Sequence, residues 1–88
     1  MANNGYVRKH SLPRSEQDFL RRVGQKLRRE LDSRGETLET LARNTQLARS
    51  AIRDVLLGRS DTGILTLRAI AQGLGYPSVR RFLEDIET

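Results

Sequence analysis

Residues 37–58, TLETLARNTQLARSAIRDVLLG, carry the apolar spacing that decides the fold. Leu38, Leu41 and Ala42 fall on one face of a short helix, which Asn44-Thr45-Gln46 interrupts. Leu47 follows the break, and Ile52, Val55 and Leu56 supply the buried face of a second helix. This spacing lets the two helices share one small core and cross at a steep angle. Arg49, Ser50, Arg53 and Asp54 are left on the outward face of the second helix. Side chains of these types, presented by a helix, can reach base edges in the major groove of DNA.

Upstream, Phe19, Leu20, Val23, Leu27 and Leu31 recur at helical spacing as far as Gly35, a C-terminal stop. Ser15 is the expected cap of that helix, with Glu16 and Asp18 in its first turn. Thr37 is the expected cap of the next, and Thr40 replaces the acid that would complete a capping box. Downstream, Gly58 closes the third helix and residues 59–63 form a polar loop, with Thr62 as the expected cap of a fourth. Ile64, Leu67, Ile70, Ala71 and Leu74 give that helix its apolar face, ending at Gly73-Leu74-Gly75. Tyr76-Pro77 separates it from a fifth, over residues 78–87, where Val79, Phe82, Leu83 and Ile86 align. No strand-like alternation and no repeat appears. The expected fold is all-α, a compact bundle of about five helices over residues 15–88. Residues 1–14 precede it as a flexible basic arm containing Arg8, Lys9, His10 and Arg14.

At 88 residues the chain is long enough for one modest core and too short for two. It has no cysteine, which excludes disulfides and thiolate metal sites. No apolar run approaches the roughly 18 residues of a membrane span, and no signal core opens the chain, so a cytoplasmic location is expected. Sixteen Lys plus Arg against eleven Asp plus Glu leave a net charge of +5. The pI near 10.7 is the electrostatic footprint of a nucleic-acid binder. The excess is concentrated in residues 1–35, which hold nine basic and four acidic groups. Only Lys9 and Lys26 are lysines. Arginine suits bidentate contacts to phosphate and guanine, although arginine-rich codon usage produces the same count.

Residues 19–75 resemble the lambda-repressor-like helix-turn-helix family, which includes Cro and the XRE-type regulators. The resemblance rests on Leu41-Ala42, Leu47, Ile52, Val55 and Gly58, followed by Leu67, Ala71 and Leu74-Gly75, in register without insertions. Ala42 matches the small residue where the two helices cross, and Ile52 and Val55 match the buried pair of the recognition helix. Three positions depart from the family pattern. Gln46 stands where glycine is usual in the turn, and implies a left-handed backbone adopted at some cost. Leu38 replaces a glutamine that helps grip phosphate, and Leu56-Leu57 replaces a commonly acidic end of the third helix.

The resemblance implies a sequence-specific regulator of transcription, a repressor, with the third helix in the major groove. Arg49, Ser50 and Arg53 match its base-reading face, and an arginine there can pair with guanine, a contact worth about 1–3 kcal/mol of discrimination. Asp54 either accepts from cytosine or pairs with a neighbouring arginine. Arg43, Arg59, Ser60 and Thr62 lie where the family approaches the sugar-phosphate backbone, and Arg8 and Lys9 of the arm are further candidates. Arg21, Arg22, Lys26, Arg28 and Arg29 read as a solvated basic face. Val79, Phe82, Leu83 and Ile86 are either bundle core or a homodimer seam, the latter matching a two-fold symmetric operator.

Other functions use the same fold. A protein-interaction module would employ the recognition face or last helix against a regulatory partner, and an antitoxin-type autoregulator is a variant. No enzyme, cofactor or metal is expected. His10 has no second ligand near it in sequence, no nucleophile stands beside a base, and Gly73-Leu74-Gly75 follows a helix rather than a strand.

Overall fold

The computed structural model describes residues 14–59 and 62–86. Five helices and no strand occur among them: α1 (Arg14–Arg34), α2 (Leu38–Thr45), α3 (Arg49–Leu56), α4 (Ile64–Gly73) and α5 (Val79–Leu83). The expected all-α bundle of five helices is the observed architecture. Arg14 opens α1 instead of ending the arm, so Ser15 lies within the helix and is not its cap. Arg8, Lys9 and His10 lie outside the described residues, as does Ser60.

Helix α1 packs on α3, α2 on both α3 and α4, and α4 on α5. The α1–α3 contact is set by Gly24. A Cβ at that position would stand 2.5 Å from the carbonyl oxygens of Val55 and Leu56. Glycine therefore lets the two backbones touch where any side chain would hold them apart. Around this contact, Val23, Leu27 and Leu31 join Leu41, Ala42, Ile52, Val55, Leu67, Ile70, Ala71 and Leu74 in one buried cluster. Leu38, Leu47 and Leu56 pack against its edge, half-buried.

The break between α2 and α3 is built from short-range bonds. Thr37 is the cap of α2, its side chain accepting from the Thr40 amide at 3.1 Å. At the other end the Thr45 hydroxyl donates to the Leu41 carbonyl at 2.7 Å and accepts from the Leu47 amide at 3.3 Å. One hydroxyl thus ties the last turn of α2 to the start of the next segment. Gln46 adopts the left-handed conformation, φ 62° and ψ 24°, and it is the sole non-glycine residue with positive φ among the described residues. Helix α3 ends at Leu56, and two residues on Gly58 is also left-handed at φ 61°. Its amide donates to the Val55 carbonyl at 3.0 Å, and the Arg59 amide to Asp54 at 2.9 Å. Carbonyls that the helix end would orphan are satisfied in this way.

Two expected element ends shift. Gly63, not Thr62, occupies the cap position of α4, and it offers no side-chain bond. Ser78 caps α5 by accepting from the Arg81 amide at 3.2 Å, but the helix stops at Leu83 rather than running to residue 87. The cause is a change of hydrogen-bond partners. The Phe82 carbonyl accepts from Lys26 Nζ, while the Glu84 and Ile86 amides donate three residues back, to Arg81 and Leu83. The last residues are thereby wound into tight turns.

The expectation of a dimer seam along this segment needs correcting. Phe82 is fully buried and Ile86 is 5% exposed within the single chain, both in the core cluster. In this fold neither side chain is exposed to meet a second subunit. Of the four expected positions only Val79 and Leu83 retain partial exposure, and both rest against the same core.

Candidate nucleic-acid interface

Helix α3 separates its residues cleanly. Ile52 is fully buried and Val55 nearly so, whereas Arg49, Ser50 and Arg53 are exposed. Ala48 occupies its cap position and makes no side-chain bond, so the first turn presents amides without a covering side chain. Arg49 stands at this open end and Arg53 one turn further on. Arg43, in the last turn of α2, is exposed as well.

The arginines around α3 are not equivalent. Arg49 Nη1 lies 3.7 Å from Glu39 Oε2, across the break between α2 and α3. Arg59 Nε lies 3.9 Å from Asp54 Oδ1. Asp54 is half-buried and lies beside this neighbouring arginine. Arg43 and Arg53 form no ion pair among the described residues. Thr62 is half-buried at the approach to α4. The structure thus gathers Arg49, Ser50 and Arg53 on α3, with Arg43 and Arg59 at the ends of its two neighbouring turns.

A second polar cluster was not legible in the sequence. Lys26, expected on a solvated face, is 6% exposed. Its ammonium donates to the Phe82 carbonyl at 2.5 Å and to Asp85 Oδ1 at 2.7 Å, and lies 5.1 Å from both the Tyr76 and Phe82 ring centroids. The two rings meet edge to face at 5.4 Å. Tyr76 donates its hydroxyl to Glu30, which also accepts from Arg34. Burial disfavours the Lys26 charge, but the Asp85 carboxylate and the Tyr76 oxygen outweigh it and hold the pKa above 10.5. The Tyr76 hydrogen bond lowers Glu30 against the opposing effect of burial, and the same bond, with burial, raises Tyr76. Lys26 lowers Asp85. This network fastens the C-terminal turns to α1. It lies apart from the outward face of α3 and serves the fold.

Among the described residues no group of three or more His, Cys, Asp or Glu side chains is placed to hold a metal ion. No helix among them is long and apolar enough to cross a membrane. An open groove of about 340 Å³ is lined by Arg22, Gln25 and Arg29 of α1 with Asp85 and Ile86, and contains no nucleophile paired with a base.

No protein-family model matches the chain, and neither a curated protein nor a solved structure matches it.

Proposed function

We propose that this protein is a sequence-specific double-stranded DNA-binding regulator of transcription, acting as a repressor in the cytoplasm, with α3 inserted in the major groove. The observation that carries the reading is the division of α3. Ile52 and Val55 anchor it in the core, while Arg49, Ser50 and Arg53 face solvent. Arg49 and Arg53 are separated by about 6 Å along the helix axis, a span comparable with two base-pair steps. Arginine is the residue type best suited to bidentate contact with guanine in that groove. Arg43 and Arg59 flank the helix and would fix its register on the phosphates, together with Ser60, Thr62, Arg8 and Lys9. The resemblance of residues 19–75 to the lambda-repressor-like family supports the same arrangement. A two-fold operator would be met by a homodimer, and Val79 and Leu83 are the surviving candidates from the last helix for that contact.

Titration of labelled duplex across a salt series tests the reading. Log affinity should fall linearly with log salt, with a slope of about −0.9 for each phosphate neutralised. Replacing Arg43 by Ala should weaken binding uniformly across sequences and reduce the slope by about one. Absence of duplex binding at low salt would refute the proposal.

One observation favours a second reading, a protein-interaction module. Leu57, Ile64 and Leu65 are 52%, 64% and 73% exposed, the large apolar side chains left outside the core between the end of α3 and the start of α4. An antitoxin-type autoregulator would combine a protein contact at such residues with DNA binding by α3.

A further inference from the structure

The carboxylate of Glu39 is out of place on a surface offered to a polyanion. It lies in the first turn of α2, close to the outward face of α3, where it would repel phosphate. Its one ionic partner among the described residues is Arg49, at 3.7 Å, with the Glu39 and Arg49 side chains 60% and 64% exposed. We propose that Glu39 is a positioning residue that sets base specificity by orienting the Arg49 guanidinium; this inference rests on the DNA-binding reading above.

The geometry suits that role in two respects. At 3.7 Å the carboxylate is beyond hydrogen-bond reach, so it attracts the guanidinium without occupying a donor. All the N–H groups of the fork stay available to a guanine edge. The two residues also belong to different helices, joined by a turn whose backbone is tied at Thr45. Because that turn fixes the position of Glu39 relative to α3, the carboxylate can restrict the rotamers of a long, exposed side chain. Part of the conformational freedom Arg49 would lose on DNA is then already lost in the free protein. Among the described residues Arg53 has no such carboxylate, and it provides an internal control.

The test measures binding of the full chain to a duplex selected from a random pool and to its single-base variants. Four proteins are compared: the unaltered chain, Glu39→Gln, Arg49→Ala and the double variant. All the changed side chains are exposed, so folding is not at risk. The expected result for Glu39→Gln is tighter binding to non-selected duplex, because a negative charge is gone. Preference at the base pair read by Arg49 should drop by up to about fivefold, as expected for one exposed ion pair. Preference at other positions should hold. In the Arg49→Ala background the same change should leave base preference untouched. Equal tightening on every duplex in both backgrounds would overturn the proposal and leave Glu39 as a repelling charge alone. Failure of the unaltered chain to bind any duplex would overturn the DNA-binding reading, and this inference with it.

Discussion

At Gly24 the packing of α1 against α3 depends on a side chain that is missing. Replacing it with alanine sets a methyl group 2.5 Å from two backbone carbonyl oxygens, which cannot swing aside as a flexible side chain would. Gly24→Ala should therefore destabilise the fold by about 1–3 kcal/mol, an overpacking cost, read as a lower urea midpoint. An unchanged midpoint would mean that the two helices do not touch there. Nothing in sequence spacing distinguishes this glycine from one tolerated on a helix surface, because the constraint comes from Val55 and Leu56, far along the chain. Gln46 is the opposite case. The resemblance to a family with glycine in this turn implied the left-handed backbone that it adopts at φ 62°. Single-residue features were legible where their cause was local and hidden where it was tertiary. Lys26 belongs with Gly24, since helical periodicity placed a lysine on the polar face and the C-terminal turns then covered it.

The elements follow the same division. Helices α1 to α4 lie where apolar periodicity put them, since each buries one stripe in a shared core. Helix α5 is shorter than its periodicity suggested, because Lys26 takes the Phe82 carbonyl and the following amides wind into turns. The clasp between α1 and these turns makes stability respond to pH in both directions. Glu30 titrates below its ordinary value of 4.5, so its contribution is present above that pH and is lost as pH falls through the folded value. Tyr76 and Lys26 titrate above 10.0 and 10.5, so theirs are present below those values and are lost as pH rises through the folded ones. Tyr76→Phe removes the hydroxyl shared with Glu30. Urea midpoints measured from pH 3 to 11 should show a shallower acid limb and a reduced alkaline limb, with the share of the Lys26 contribution that Asp85 supplies remaining. Unaltered limbs would show that Tyr76 and Glu30 do not pair in solution.

For the whole molecule, burial decides which parts of the surface remain for a partner. Phe82 and Ile86 are spent on the core, and so the last helix offers a smaller seam than its apolar stripe implied. The large apolar side chains that stay exposed among the described residues, Leu57, Ile64 and Leu65, adjoin the end of α3 and the start of α4. The arginines of α3 stay outward, as the spacing of Ile52 and Val55 required. The ion pair between Glu39 and Arg49 was not legible, because it joins two helices across a turn whose geometry is tertiary. In the proposed regulator Arg49 and its neighbours read DNA sequence from α3. Selection of bound duplexes from a random pool, run in parallel with the unaltered chain and with Arg49→Ala, tests it most directly. The expected result is an enriched motif containing a guanine whose preference Arg49→Ala abolishes while much of the total affinity persists. Enrichment of no motif, or a uniform loss of affinity across all sequences in Arg49→Ala, would contradict it.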